Sequence, residues 1–369
     1  MSRIGFDARL PAYHQGGIAT WIREVLNALQ SQDTNHQLTV LESRKARCSL
    51  AGRFDRSTLY TPCHHVLEKY SLSIELLPRG LDLLHSPDFI PPLRGARRHV
   101  ITIHDLHFLH FPEYMTRESR RYYSGQLGRA VRQADHILTV SHATRQDIIE
   151  LLQVPAERIT TLHHGVNGQF RPLSAHALDE ERRKLELPKD FFLFVGTFEP
   201  RKNLITLIEA WSLLKEQLPD APPLVLAGRK GWLFDETLRG IRDLRVADEI
   251  IWREDVGQDS LPALYGLASA LVLPSRYEGF GLPALEAMAC GTMPIVSNVS
   301  SLPEVVGDVG IQIDPNDSHA LAAAMMRALG DSDWRAAQEA AGLKRTANFS
   351  WERHVKALLQ VWDQVLNDA

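Results

Sequence analysis

Twice along this chain, short β-branched or leucine-rich runs alternate with stretches of helical periodicity, and no other feature constrains the fold as tightly. The first series of candidate strands is Arg3–Phe6, Leu38–Leu41, Leu83–His85, His99–Ile103, His136–Val140 and Ile159–Leu162. The second is Phe191–Val195, Pro223–Ala227, Ile250–Trp252, Ala270–Leu273, Met293–Ser297 and Gly310–Ile313. Helical patterns such as Ile18–Gln30, Arg117–Gln133, Leu204–Gln217, Leu261–Leu267, Pro283–Ala289 and Ser318–Leu329 lie between them. Such alternation predicts parallel strands with helices on both faces, and two series in succession predict two doubly wound α/β domains. The length of 369 residues accommodates both. The segment GVNGQFRPL, with two glycines and a proline, reads as a linker. It sets the expected domains at 1–170 and 171–349. A final helix over Trp351–Leu366 carries Val355, Leu358, Leu359, Trp362 and Leu366 on one face.

Charge separates the two halves. Residues 1–170 hold 20 Lys and Arg against 16 Asp and Glu, whereas 171–369 hold 21 against 29. Thirteen of the sixteen histidines fall in the first half, so the halves are expected to meet different partners. Cys48, Cys63 and Cys290 form no disulfide framework and no zinc spacing, which favours a reducing compartment. No basic-then-apolar leader opens the sequence and no apolar run reaches membrane-spanning length. A cytoplasmic location is therefore expected, and no nucleic-acid partner.

The stretch RYEGFGLPALEAMACG, from Arg276 to Gly291, places two acids among small and apolar residues. It follows the candidate strand Ala270–Leu273, and Pro283 suits the first turn of a helix. The expected helix begins near Leu282 and carries Glu286 in its first turn. Gly279 and Gly281 permit close backbone approach, and the amides of Phe280, Gly281 and Leu282 at a helix N-terminus suit a phosphate. The carboxyl end of a parallel strand is also where open α/β sheets bind ligands. A carboxylate can accept from two vicinal sugar hydroxyls, so Glu286 is expected to clasp a ribose and Glu278 a second sugar. The alternative is that both acids only favour a helix N-terminus.

The spacing Glu278-x7-Glu286 with GFGLP inside resembles the EX7E motif of retaining GT-B glycosyltransferases, in particular glycosyltransferase family 4. Other segments resemble that family in order: HQGGIATWIREVLNAL (14–29), ITIHDLHFLHFPEY (101–114), LTVSHATRQDI (138–148), HHGVN (163–167), FVGTFEPRKNL (194–204), LVLAGRKGW (224–232) and VSNVSSLPEVVGDVG (296–310). The resemblance spans nearly the whole chain. It implies two Rossmann-like domains facing a cleft, the first binding the acceptor and the second the nucleotide sugar. It also implies that the final segment, 350–369, returns to the first domain.

The resemblance assigns Arg201 and Lys202, which follow Gly196 and a turn, to the donor's diphosphate. A planar fork and a point charge suit that group and would stabilise charge growing on the leaving nucleotide. It places His104 beside the transferred sugar, and Gly16 and Gly17 in a loop that helps close the site. Asp105 is expected to orient the His104 loop or cap the next turn, and Ser141 belongs with the acceptor side. His104, His107 and His110 lack a carboxylate or cysteine that would complete a metal set. Asp331–Asp333 is expected to cap a helix rather than hold a divalent ion, so no essential metal and no cofactor are expected.

The implied reaction moves a hexose from a nucleoside-diphosphate sugar to an acceptor hydroxyl on a glycan or lipid-linked saccharide. GDP-mannose is the first expectation, with UDP-glucose and dTDP-rhamnose as alternatives. The basic helix pattern Arg117–Gln133, with five arginines and Tyr122, Tyr123, Leu127 and Val131, suggests peripheral contact with the inner face of an anionic membrane. A nicotinamide dehydrogenase would need a GxGxxG turn that neither half has. A non-catalytic sugar-nucleotide-binding protein remains the reading from another class, and the full set His104, Arg201, Lys202, Glu278 and Glu286 argues against it.

Overall fold

The computed structural model describes residues 1–13, 16–235, 239, 249–254 and 256–368. His14 and Gln15 of the expected glycine loop lie outside the described residues. The chain divides into two compact units, Met1–Gly165 with Ser350–Ala369, and Val166–Phe349. The break falls after Gly165 rather than after 170. Its cause is local: the Val166 amide donates to the Phe349 carbonyl at 3.2 Å, and buried Phe170 packs edge-on to Tyr265. The expected linker is therefore part of the second unit.

In the first unit, seven strands form one parallel sheet: β1 (Arg3–Asp7), β2 (Gln37–Ser43), β3 (Asp55–Leu59), β4 (Leu81–Ser86), β5 (Ala96–Ile103), β6 (His136–Thr139) and β7 (Ile159–Thr161). Their order is β3-β2-β1-β4-β5-β6-β7. One face is covered by the helix Gly17–Leu29, through Trp21, Ile22 and Val25, and by the last helix, Trp351–Asn367, through Val355, Leu358 and Trp362. The helix Arg117–Gln133 covers the other face with Leu127, Ala130 and Val131. Strand β3, DRSTL, has no apolar alternation and only Leu59 is buried, as befits a polar sheet edge.

The second unit holds β8 (Phe192–Val195), β9 (Leu224–Ala227), β10 (Ile251–Arg253), β11 (Ala270–Leu273), β12 (Pro294–Ser297) and β13 (Ile311–Ile313), all parallel, in the order β10-β9-β8-β11-β12-β13. The sequences LVLA and ALVL of β9 and β11 are buried throughout, because helices lie on both faces. Each sheet has one point where the chain reverses direction: β1 beside β4, and β8 beside β11. At such a switch point two connections leave in opposite directions and open a crevice at the strands' carboxyl ends.

Close approach of loops above β8 and β9 requires a glycine. A Cβ at Gly228 would lie 1.8 Å from the Gly196 carbonyl oxygen, and φ there is 156°. Gly196 in turn donates its amide to Ala227 at 3.0 Å, so the two loops are stitched together above the sheet.

Candidate active site

At the β8/β11 switch point, the turn Pro200–Lys202 follows β8 and delivers two cations side by side. Asn203, at φ 61°, starts the helix Leu204–Gln217. Its buried amide donates to the carbonyls of Pro274 (3.0 Å) and Pro315 (2.6 Å), so one side chain fastens the loop after β8 to those after β11 and β13. The loop after β11 brings Glu278 back to the cations. Lys202 Nζ donates to both Glu278 oxygens at 2.7 and 2.8 Å, Arg201 to one at 3.1 Å, and Ser275 Oγ to the other at 2.7 Å. Arg201 also pairs with Glu199 at 2.9 Å and donates to the Tyr277 carbonyl.

Two acids and two bases make this cluster formally neutral. Burial pushes the Glu278 carboxyl up, but the charges of Lys202 and Arg201 and the hydrogen bonds from Lys202 and Ser275 outweigh it and hold the group below the usual carboxylate range. Lys202 is lowered, first by burial and then by Arg201, against the pull of Glu278 and Glu199. With four hydrogen bonds converging on the carboxylate, the ionised pair is the state this geometry favours.

Sequence reasoning assigned Glu278 to a sugar and the cations to a diphosphate as separate tasks. Here they bind one another, so both cations are already held by a carboxylate.

The backbone after Glu278 is pinned from β12's side. The Glu278 amide donates to Ser300 Oγ at 3.0 Å, and Ser301 Oγ donates to the carbonyls of Glu278 and Phe280 at 2.9 and 2.8 Å. Gly281, at φ 103°, begins the helix Leu282–Ala289, and a Cβ there would strike Leu302 at 2.7 Å. The helix opens at Leu282 as expected, but Glu286 is its fifth residue and so lies just past the first turn, since a turn takes about 3.6 residues. Its carboxylate accepts from the buried Tyr265 hydroxyl at 2.7 Å. Burial, then the charge of Glu286, raise the Tyr265 pKa well above its ordinary value, which keeps it a donor. Tyr265→Phe is expected to destabilise the second unit by about 1–3 kcal/mol, measured by urea denaturation. Gly279 lies between these anchors, half-buried. Ser275, Ser300, Ser301, Asn203 and Tyr265 were not singled out from sequence. Their partners lie in other loops, and no spacing rule connects them.

In the first unit, the β1/β4 switch point carries a second polar cluster that sequence reasoning also missed. Arg9, fully buried, forks onto Asp7 at 2.9 and 2.7 Å and reaches Glu68 at 2.8 Å. Beside it His64 meets Asp88 at 2.8 Å, and the buried Ser86 hydroxyl has no protein partner. These residues line an open pocket with Leu10, Pro87 and Ile90.

His104, after β5, sets Nε2 at 3.0 Å from the Pro87 carbonyl. A carbonyl partner fixes the proton on Nε2 and leaves Nδ1 an acceptor. Burial is the main force on this ring and lowers its pKa, so it is neutral. Asp105 accepts from the His107 amide and ring, which makes it the turn-forming residue expected. His110 turns to Asp147 at 2.9 Å. The three histidines thus face three different partners rather than one centre.

Ser141 is fully buried and caps the helix His142–Leu152 by accepting from the Thr144 amide. Its role there is structural. Gly16 and Gly17 are exposed at the start of the helix Gly17–Leu29. Asp331 caps the helix Ser332–Thr346, accepting from the Trp334 amide at 3.0 Å. The apolar residues of Arg117–Gln133 face the core, which removes the apolar face expected to touch a membrane. No described helix is long and apolar enough to cross one.

Known proteins resemble this chain in sequence and in fold. The family described as Glycosyltransferase Family 4 matches residues 15–170, and Glycosyl transferases group 1 matches 178–345. The chain is 40% identical over 348 residues to O-antigen chain mannosyltransferase B of Escherichia coli, covering 93% of this chain and 87% of that protein. Sucrose-phosphate synthase from Thermosynechococcus elongatus superposes with a TM-score of 0.80 at 20% identity, over 100% of both chains. HepE from Anabaena, solved in complex with UDP-glucose, gives 0.78 at 16% identity, over 99% of this chain and 100% of that one. At such identities the two structures speak for the fold. With the first relative and the family matches, the chain belongs to family 4 of the glycosyltransferases, has the GT-B fold and is mannosyltransferase-like.

Proposed function

We propose that this protein transfers mannose from GDP-mannose to a hydroxyl of a glycan or lipid-linked saccharide in polysaccharide assembly, with retention at the anomeric carbon and without an essential metal. The observation that carries the reading is the convergence of Arg201, Lys202 and Glu278 at the β8/β11 switch point. The 40% identity to an O-antigen mannosyltransferase supports mannose as the sugar.

In this reading the first unit binds the acceptor and the second the donor. Arg201 and Lys202 receive the diphosphate, with the Gly196 loop and the amides of Phe280, Gly281 and Leu282 beside it. Glu278 and Glu286 receive sugar hydroxyls. His104, with Nδ1 an acceptor, is assigned a sugar hydroxyl, and Gly16 and Gly17 a loop beside the substrate in the first unit. The departing phosphate accepts the acceptor's proton, so catalysis is positioning plus stabilisation of charge on the leaving group.

The test is a panel of GDP-mannose, UDP-glucose and dTDP-rhamnose with oligosaccharide and lipid-linked acceptors, in EDTA, read as released nucleotide. GDP release from GDP-mannose alone, undiminished by EDTA, is expected, and NMR of the product should show the donor's anomeric configuration. Turnover of UDP-glucose or dTDP-rhamnose with GDP-mannose silent would replace the donor. Binding without nucleotide release from any donor would favour the non-catalytic reading.

A further inference from the structure

The three carboxylates in the pocket at the β1/β4 switch point are unequally used. Arg9 takes Asp7 and Glu68, and Glu68 also accepts the His64 amide at 2.6 Å. His64 stands at φ 57°, a left-handed backbone that side chains resist and that clusters at functional sites. Its Nε2 meets one Asp88 oxygen at 2.8 Å, and the other accepts the Phe89 amide at 2.6 Å. An ionised carboxylate offers about four acceptor positions, so Asp88 has capacity to spare. It is also the most open of the three acids, with its side chain 19% exposed against 12% for Asp7 and 4% for Glu68.

Two hydroxyls at this cluster have no partner among the described residues. Ser86, a residue 3% exposed, lines the pocket, and its Oγ makes no hydrogen bond. The buried Tyr122 hydroxyl, on the helix Arg117–Gln133, makes none either. Burial, then the charges of Glu68 and Asp88, raise the Tyr122 pKa, which keeps it a donor. Buried hydroxyls are nearly always bonded, so the occupant that completes this pocket is polar. Charge narrows the choice. Three carboxylates face Arg9 and His64 here, so the pocket is net negative even with His64 protonated, and an anionic group would meet Asp88 with repulsion. A divalent cation is a poor occupant as well, because Arg9 already occupies Asp7 and Glu68 and leaves one carboxylate where such an ion wants several oxygens. An uncharged polyol fits: its hydroxyls donate to a carboxylate and accept from Ser and Tyr hydroxyls.

We propose that this pocket selects an uncharged sugar residue of the acceptor, and that Asp88 sets the specificity by accepting sugar hydroxyls and repelling phosphate and carboxylate groups. Ser86 and Tyr122 supply donors to the same sugar. The inference rests on the reading that the first unit binds the acceptor. It narrows that acceptor to saccharides whose accepting residue is neutral, whatever charge the chain carries farther away.

The experiment titrates the full chain, without donor and in EDTA, and reads binding by saturation-transfer NMR. The neutral probes are the methyl glycosides of mannose, glucose, galactose and N-acetylglucosamine. The anionic probes are mannose 6-phosphate and the methyl glycoside of glucuronic acid. At least one neutral glycoside is expected to bind about tenfold more tightly than either anion. Asp88→Asn keeps the side-chain shape and should weaken that glycoside by about tenfold while strengthening the anions, so the preference collapses. A variant that merely misfolds would lose both classes alike, so the ratio reads specificity. Ser86→Ala should weaken the neutral glycoside about threefold and keep the preference. Anions binding as tightly as neutral glycosides to the wild type would overturn the proposal, as would no binding of any neutral glycoside. A preference unchanged in Asp88→Asn would also overturn it, placing the sugar elsewhere while the transfer reading stands. Selective binding that Asp88→Asn abolishes, with no nucleotide released from any donor, would keep this site and remove the transfer reading.

Discussion

Lys202→Ala is expected to lower turnover by about two to three orders of magnitude, the usual loss when one preorganised charge on a leaving group is removed. It is also expected to destabilise the second unit by about 3–5 kcal/mol, since it leaves the Glu278 carboxylate buried without its main partner. The lower end of that range is favoured, because Arg201 and Ser275 still donate to Glu278. Steady-state nucleotide release reads the first effect and chemical denaturation the second. The two can be separated. Lys202→Met with Glu278→Leu removes both charges and should restore stability to within about 1 kcal/mol of the parent, as apolar replacement of buried ion pairs does, while turnover stays low. Arg201→Ala should lower turnover comparably. Near-wild-type turnover in the Lys202 and Arg201 variants would mean that the diphosphate binds elsewhere, whatever the effect on stability.

The pairing behind that prediction was only half legible. The two cations and the two glutamates stood out because each pair is local: adjacent residues at a strand end, and two acids eight positions apart in one strand-to-helix segment. That Glu278 would bind Lys202 is a contact across 76 residues, and only the β8/β11 neighbourhood creates it. Strands such as ALVL announced themselves because burial on both faces demands continuous apolar runs. The segment DRSTL did not, since an edge strand needs no such run.

The helix Glu68–Leu76 escaped notice for the opposite reason. It buries Glu68 and Ser73 while exposing Tyr70 and Ile74, and its acid is tolerable inside only because Arg9, 59 positions away, neutralises it. Conversely, Arg117–Gln133 was read with its right limits, but its apolar residues serve the core and not a surface.

Acidification is expected to unfold the first unit through histidines that sequence reasoning left structural or unassigned. His85 is fully buried among Phe6, Trp21 and Trp362, and its Nε2 meets Thr102 at 2.9 Å. His354, on the last helix, meets the His163 carbonyl through Nδ1 at 2.8 Å. Burial drives both pKa values down, His85 to about 3 and His354 to about 4, with neighbouring histidines adding repulsion. The sign follows directly. Between those values and the ordinary histidine range near pH 6.5, the unfolded chain binds protons that the folded chain refuses, so stability falls as pH falls. Glu68, raised by burial against the pull of Arg9, works in the opposite direction. At pH 5 each of the two histidines should remove about 2 kcal/mol relative to neutral pH. Together that is a fall in melting temperature of roughly 10 °C for a unit of this size. Hydrogen exchange should show protection lost over Trp351–Asn367, because His354 ties that helix to the sheet's neighbours. His354→Gln keeps a donor for the His163 carbonyl but cannot take up a proton, so it should remove the share of about 2 kcal/mol that His354 contributes. The rest stays with His85 and with His99, His104, His136 and His164, whose pKa values burial also lowers. An unchanged pH profile in that variant would show that acid acts on this unit by another route.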